Sequence, residues 1–352
     1  MKLEELIKQI QPLDQSAMQA ARDRQNMLTK PAGSLGRLEE LSIQLAGMMA
    51  NPFPSVERKA IIVMAADHGV ALEGVSAYPP EVTMQMVLNF LRGGAAINVL
   101  ARQAGARVIV VDVGVAADFD SAPGLVQRKV MPGTQNLATG PAMKRAEAEE
   151  ALQVGVNIFN EEYARGLDIV ATGDMGIGNT TPSAAIVSVM TGLPVAQVTG
   201  RGTGVDDAGL AHKIKIIEQA LRVNQPDAND ALDVLCKVGG LEIAGLAGVM
   251  IAAASRRVPV VVDGFISTAA AMIAVGMAPS VRDYLISAHQ SVEIGHQAML
   301  KHLKLKPVLD LDLRLGEGTG AALAFHLLEA STRILREMAT FGEAGVSEKG
   351  DK

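Results

Sequence analysis

The 352-residue sequence has one cysteine, Cys236, and no tryptophan. A lone thiol excludes an intrachain disulfide and any thiolate metal cluster, and it suits a reducing compartment. Aromatic residues make up only 3% of the chain, too few for the stacking platforms that hold single-stranded nucleic acid. Positive charge is not in excess either. Against 38 Asp and Glu stand 32 Lys and Arg, a net charge of −6, which argues against general nucleic-acid binding. Long apolar runs are also scarce. The start, Met1-Lys-Leu-Glu-Glu-Leu6, is charged and lacks a signal-peptide stretch. Phe265 to Val281 carries no charge, but it is rich in Ala, Gly, Met and Ser and is bracketed by Asp263 and Arg282. It sits near the lower length limit for a membrane span and reads as a buried helix. Val238 to Ala254, which contains Glu242, reads the same way. No membrane span is expected, and a cytoplasmic location is. There is no internal repeat and no low-complexity tract.

What is present is a 49% hydrophobic chain, enough for a large core and far from the composition of disordered segments. With 35 glycines and few aromatics, Ala and Gly must carry much of the interior, which implies close helix–sheet packing. Residues 1–58 read as helical, with Leu3, Leu6, Ile7 and Ile10, then Leu38, Leu41, Leu45 and Met48, at helical spacing. The turn cluster Lys30-Pro-Ala-Gly-Ser-Leu-Gly36 separates these runs, and Pro52 and Pro54 mark a boundary. From residue 59, short β-rich runs alternate with helical stretches such as Leu152, Val156, Phe159 and Tyr163. The runs Ala60–Met64, Val108–Val111, Leu167–Val170 and Val258–Val262 are nearly all apolar. That pattern predicts an α/β fold with a parallel sheet covered on both faces. After residue 283 the pattern returns to helix. The exception is Lys306 to Leu315, before a long helix to about residue 340, and the tail from Gly342 reads as frayed.

In such sheets, ligands sit outside the carboxyl ends of the strands. Here those ends carry Asp67, Asp112, Asp174 and Asp263, each near a glycine. Any one could simply cap a helix or bond turn amides; four at equivalent positions point to a site. Three glycine–threonine loops follow the same logic. Gly173-Asp-Met-Gly-Ile-Gly-Asn-Thr-Thr-Pro182 opens a helix, with Thr181 the expected N-cap and Pro182 the first helical residue. It reads as an anion loop or as a tight turn, and it lacks both a Gly-x-Gly-x-x-Gly pattern and a Walker lysine. Thr199-Gly-Arg-Gly-Thr-Gly204, with Lys213 downstream, suits a phosphate or a sugar, or is a flexible turn. Leu315-Gly-Glu-Gly-Thr-Gly320 holds Glu317, either as a general base in a semi-buried cleft or as a turn acid for the helix near Thr319. Metal and nucleophile readings are weak. His289 and His296 are seven apart, Glu293-x-x-His296 occurs once, Cys236 sits in an apolar helix-like run, and no Gly-x-Ser-x-Gly elbow exists.

Taken together, eight segments carry a family resemblance. They are Lys30-Pro-Ala-Gly-Ser-Leu-Gly-Arg-Leu-Glu39, Ala65-Ala-Asp-His-Gly69, Tyr78-Pro-Pro-Glu-Val-Thr83, Arg92-Gly-Gly94, Gly176-Ile-Gly-Asn-Thr-Thr181, Gly200-Arg-Gly-Thr-Gly204, Val262-Asp-Gly264 and Leu315-Gly-Glu-Gly-Thr-Gly320. In that order, from near one terminus to near the other, the chain resembles the nicotinate-nucleotide:dimethylbenzimidazole phosphoribosyltransferases of cobalamin biosynthesis. The resemblance implies a Rossmann-like domain over 59–283 and a small helical domain from 1–58 and 284–352, with the Glu317 loop returning to the active site. It implies a homodimer with no metal or other cofactor. The implied reaction moves the phosphoribosyl group of nicotinate mononucleotide onto 5,6-dimethylbenzimidazole or a related base, giving α-ribazole 5′-phosphate and nicotinate.

By the same resemblance Glu317 is the base and Asp174 a second catalytic acid, where many members carry Glu. The phosphate and ribose fall to Gly176, Ile177, Gly178, Asn179, Thr180, Gly202, Thr203, Lys213, Asp263 and Ser291, the last from this chain or a partner. The aromatic base falls to Tyr78, Met86 and Met175. Two other readings stay open at this point. A nicotinamide-dependent dehydrogenase should carry its glycine turn after the first strand, where this chain has Asp67-His68-Gly69. A non-catalytic nicotinate-nucleotide sensor would use the same loops without releasing nicotinate.

Overall fold

The computed structural model describes residues 3–119 and 122–347. Six parallel strands form one sheet in the order β3-β2-β1-β4-β5-β6. They are β1 Lys59–Ala66, β2 Ala106–Gly114, β3 Leu125–Gln127, β4 Ile169–Met175, β5 Val260–Val262 and β6 Leu285–Ser287. Strands β1, β5 and β6 are buried along their whole length, as expected of strands covered on both faces. Parallel register brings the carboxyl ends together: Met64 of β1 lies opposite Asp174, and Val262 of β5 opposite Ser287. The four strands expected from apolar runs are present. The strands β3 and β6 are three residues each, like β5, but unlike β5 they are not part of a longer apolar run. β6 also lies past residue 283, where the sequence pattern suggested helix alone.

The glycine and alanine content acts where the Arg145–Ala164 and Leu241–Ser255 helices meet. A Cβ added to Gly155 would sit 1.8 Å from the Gly245 carbonyl oxygen, and one on Gly248 would sit 2.0 Å from that of Leu152. The two backbones are in direct contact: the Leu241–Ser255 helix packs on the sheet, and the Arg145–Ala164 helix packs on it in turn. The apolar stretch at 265 becomes the buried Phe265–Met277 helix. Among the described residues, no helix is long and apolar enough to cross a membrane. A second layer holds the Ala96–Ala104 and Thr319–Glu337 helices, which pack on each other. The Gln15–Met27 and Arg37–Met49 helices join Thr319–Glu337, so residues from both ends of the chain share one helical cluster. The motif at Lys30 is part of it: Lys30 Nζ and the Leu35 N–H both donate to Glu39 Oε1, at 2.8 and 3.0 Å. The tail is more ordered than expected. Phe341–Ala344 forms a short helix that Thr340 caps, and residues 348–352 of the expected frayed tail lie outside the described residues.

Candidate active site

The carboxyl ends of β4, β5 and β6, with the segment from Tyr78 that follows β1, border one cleft with two lobes. The polar lobe, about 310 Å³, is lined by Thr180, Gly202, Gly264, His289, Ser291, Glu293 and Arg314, among others. The apolar lobe, about 380 Å³, is lined by Val82, Met86, Met175, Gly176, Ile177 and Glu317. Tyr78, Asp174, Asn179, Thr203 and Leu315 line both, so the lobes are continuous.

Glu317 reaches this place through a run of left-handed backbone. Gly316, Glu317 and Gly318 have φ of +84°, +63° and +97°. Glycine adopts this conformation freely, whereas a glutamate is held there at a cost of about 1–2 kcal/mol. The flanking structure holds it. The Glu317 carbonyl lies against Gly173 so closely that a Cβ there would sit 2.3 Å from its oxygen. Asp263 accepts the N–H groups of Gly318 and Ala321 at 3.1 and 3.0 Å. The Glu317 side chain does not cap its own helix, whose N-cap is Gly318. Its Oε2 instead accepts the Ile97 N–H at 3.2 Å, in the first turn of the Ala96–Ala104 helix. Burial raises its proton affinity, with the Asp263 charge adding to the rise and the Ile97 hydrogen bond opposing it. A buried carboxyl with raised affinity, lining an apolar lobe, is suited to take a proton from an aromatic base.

Asp174 stands where the lobes join. Its Oδ2 accepts from Asn179 Nδ2 at 3.0 Å. Burial first, then the charges of Asp263, Glu242 and Glu317, hold its carboxyl well above the usual aspartate range. Asn179 is the N-cap residue of the Thr180–Thr191 helix but spends its side chain on Asp174. The helix therefore starts one residue before the expected cap Thr181, and Pro182 is its third residue, where no N–H is required.

The other strand-end acids divide in role. Asp263 is fully buried and its oxygens serve the Glu317 loop, so it acts on the site through that loop. Asp112 bonds its own turn at Val115, and Asp67 bonds the Ala116 amide, both at 2.8 Å and away from the cleft. Beneath the Gly176 turn lies a pair that the sequence reading did not find, His68 Nε2 and Glu242 Oε1 at 2.8 Å.

Lys213 is buried behind the polar lobe, its Nζ donating to Thr180 Oγ1 at 2.6 Å. Burial lowers its pKa to about 8, against a raising effect from Glu293. A Cβ on Gly202, whose φ is +52°, would sit 2.7 Å from Thr180 Oγ1 and 3.0 Å from Nζ, so glycine suits the 199–204 loop where it closes over the lysine. Thr203 anchors that loop, its hydroxyl bonded to Ser76 Oγ and the Ala77 N–H at 3.0 and 2.9 Å. Ser291 lines the polar lobe in the same chain as these residues.

The structure thus brings together Glu317, Asp174, Tyr78, Met86, Met175, Asn179, Thr180, Gly202, Thr203 and Ser291 on one cleft, with Lys213 directly behind it. Gly176 and Ile177 border the apolar lobe, and the Ile177 N–H is taken by Thr83 Oγ1 at 3.1 Å. Gly178, with φ of +92°, turns toward Ala71. His289, Glu293 and Arg314 line the polar lobe and were missed as site residues. His289 follows the three-residue strand β6, whose end left no trace in the sequence. The pair Glu293 and His296 makes no metal site, because His296 bonds Ser291 and Thr268 instead. Burial pushes the Cys236 thiol up to about 11, so it is no nucleophile.

Comparison with known proteins bears on this geometry. A family model described as phosphoribosyltransferase matches residues 10–346. A Chloroflexus aggregans protein named nicotinate-nucleotide–dimethylbenzimidazole phosphoribosyltransferase is 62% identical over 347 residues, covering 99% of this chain and 98% of that one. A Desulforudis audaxviator protein of the same name is 59% identical, covering 98% of each. The crystal structure of the Thermus thermophilus protein with that name superposes with a TM-score of 0.91 at 49% identity, over 96% of this chain and all of the other.

Proposed function

Because this chain belongs to the nicotinate-nucleotide:dimethylbenzimidazole phosphoribosyltransferase family, we propose that its two-lobed cleft holds nicotinate mononucleotide in the polar lobe and the acceptor base in the apolar one. The enzyme transfers the phosphoribosyl group to 5,6-dimethylbenzimidazole, releasing nicotinate and forming α-ribazole 5′-phosphate for cobalamin assembly. One observation carries the placement: a buried, high-affinity carboxyl, Glu317, lines the apolar lobe, while a buried cation, Lys213, lies behind the polar one.

The chemistry follows from that division. The bond from ribose C1′ to the pyridinium nitrogen is already activated, since its electrons neutralise the ring as it breaks. One benzimidazole nitrogen attacks C1′ from the face opposite nicotinate, which inverts the anomeric carbon to α. The proton on the other ring nitrogen passes to Glu317, and the product leaves with a neutral ring. Asp174, at the junction of the lobes, hydrogen-bonds a ribose hydroxyl in this reading. The remainder is positioning of two bound rings along one line. Tyr78, Met86 and Met175 supply flat or polarisable surface for the base. The phosphate lies against Thr180, Gly202 and Ser291, with Lys213 turning from Thr180 to meet it.

A homodimer in the cytoplasm, with the helical cluster of both termini as a separate small domain, completes this reading. The apolar side chains Val292, Ile294, Leu311 and Leu315, each about half exposed near the cleft, offer a surface for a second copy. Sedimentation at micromolar protein would show two chains per particle. The reaction itself is tested by mixing protein, nicotinate mononucleotide and 5,6-dimethylbenzimidazole and separating products with mass detection. Equal amounts of nicotinate and α-ribazole phosphate are expected. Bound nucleotide without nicotinate release, across a panel of bases, would overturn the enzymatic reading.

A further inference from the structure

We infer that His296 is a positioning residue for the nucleotide lobe, a neutral imidazole that ties the Ser291 turn to the Gly264 turn. The inference rests on the substrate assignment above but concerns a residue that touches no substrate. His296 is fully buried in the first turn of the Ile294–Leu303 helix and does not line the cleft. The two segments that it joins, at Gly264 and Ser291, do line it.

The hydrogen bonds leave one consistent set of roles. The Ser291 N–H can only donate, so His296 Nδ1, 2.9 Å away, accepts. In a neutral ring the proton is then on Nε2, which donates to Thr268 Oγ1 at 2.9 Å. The Thr268 hydroxyl donates in turn to the Gly264 carbonyl at 2.7 Å. Moving the ring proton to Nδ1, or adding a second, would set two donors face to face at Ser291. Burial, and then the nearby His289, hold the His296 pKa down at about 3, in keeping with a ring that stays neutral while the enzyme works.

The link extends to the phosphate groups. The Glu293 N–H donates to Ser291 Oγ at 3.3 Å. The Glu293 carboxyl in turn faces the Gly202 N–H and Lys213, both of which favour its charged form against burial. A shift of the Ser291 turn therefore reaches Gly202 and Lys213 on the same side of the cleft. This chain of contacts includes neither Met86 nor Met175, which line the apolar lobe, and its Gly264 end, which adjoins Asp263 and the Glu317 loop, is the end that Thr268 holds.

Side-chain geometry supplies the test. In His296→Asn the amide oxygen takes the place of Nδ1 and keeps the bond to Ser291. In His296→Gln the amide nitrogen takes the place of Nε2 and keeps only the bond to Thr268. Steady-state kinetics should give the Gln variant a KM for nicotinate mononucleotide raised about tenfold or more, the size expected when a buried N–H loses its acceptor. Its kcat and its KM for the base should stay within about twofold, and the Asn variant should recover most of the loss. Thr268→Val, the same shape without the hydroxyl, leaves the Ser291 bond in place and cuts the Gly264 half of the link, so it should raise the same KM by less than the Gln variant does and leave the KM for the base unchanged; no change, or a parallel change for both substrates, overturns the inference even if the His296 variants do not fold. An unchanged nucleotide KM, a parallel loss for both substrates, or no recovery with Asn overturns the inference. Absence of turnover in the wild-type protein would overturn the functional reading itself, whereas wild-type turnover with no selective KM change would overturn the positioning role alone.

Discussion

Asp263 fixes Glu317 by holding the backbone on its far side: Oδ2 takes the Gly318 N–H at 3.1 Å and Oδ1 takes the Ala321 N–H at 3.0 Å. Both oxygens are thus committed to the loop that keeps Glu317 in left-handed backbone. Asp263→Asn replaces one acceptor with an NH₂ that faces an N–H donor. One buried amide is left unpaired, at a cost of about 1–3 kcal/mol to the loop. We expect kcat to fall about tenfold or more while the nucleotide KM changes little, as measured by initial rates at saturating base. An equal rise in the nucleotide KM would place Asp263 on the ribose instead.

Glu317→Gln keeps the size of the side chain and can still accept the Ile97 N–H through its amide oxygen. What it loses is the ability to take a proton. Turnover should drop by about 10²–10⁴, the usual contribution of a general base. Calorimetric binding of nicotinate mononucleotide should be unaffected, because Glu317 lines the other lobe. Turnover near that of the wild type would remove Glu317 from the base role.

The sequence made the parallel sheet readable because β1 and β2 are largely apolar, and β4 and β5 each open or close on an apolar run, Leu167–Val170 and Val258–Val262. It hid β3 and β6, whose three residues stand in no longer apolar run, whereas the equally short β5 closes the run Val258–Val262. The cleft was legible where chemistry and local backbone coincide, as at Gly316-Glu-Gly318. It was not legible where a group is recruited across the fold. The Asp263 carboxylate looked like a ligand for sugar or phosphate, yet it serves amides 55 and 58 residues away. Asn179 looked like part of an anion loop, yet its side chain is spent on Asp174. Those pairings depend on strand order, which the residue pattern alone does not contain.

Packing gives an independent check of the fold. A Cβ on Gly155 would collide with the Gly245 carbonyl at 1.8 Å, where two helix backbones meet, one of them packed on the sheet. Gly155→Ala must push the Arg145–Ala164 and Leu241–Ser255 helices apart. The expected cost is about 1–3 kcal/mol, seen as a Tm lower by several degrees. The contact is remote from the cleft, so kcat of the folded variant should remain near that of the wild type. A Tm equal to the wild-type value would mean that the two helices are not in backbone contact.

The pH profile joins the two lobes. Glu317 must be ionised to accept a proton, and burial raises its pKa above the ordinary 4.5. Activity therefore climbs with pH through a midpoint above that value. Lys213 must be charged to hold a phosphate, and burial lowers its pKa to about 8. In the free enzyme the nucleotide site loses its cation as pH rises past that point, so kcat/KM for nicotinate mononucleotide falls on the alkaline side. Bound phosphate favours the charged lysine and raises its pKa, so the falling limb of kcat must lie at higher pH than that of kcat/KM. Lys213→Arg places a guanidinium that stays charged throughout this range. It should weaken the nucleotide through altered geometry and abolish the alkaline limb of kcat/KM, while leaving the acidic limb where it was. If the limb near pH 8 survives in that variant, another group sets it, and Lys213 does not carry the phosphate.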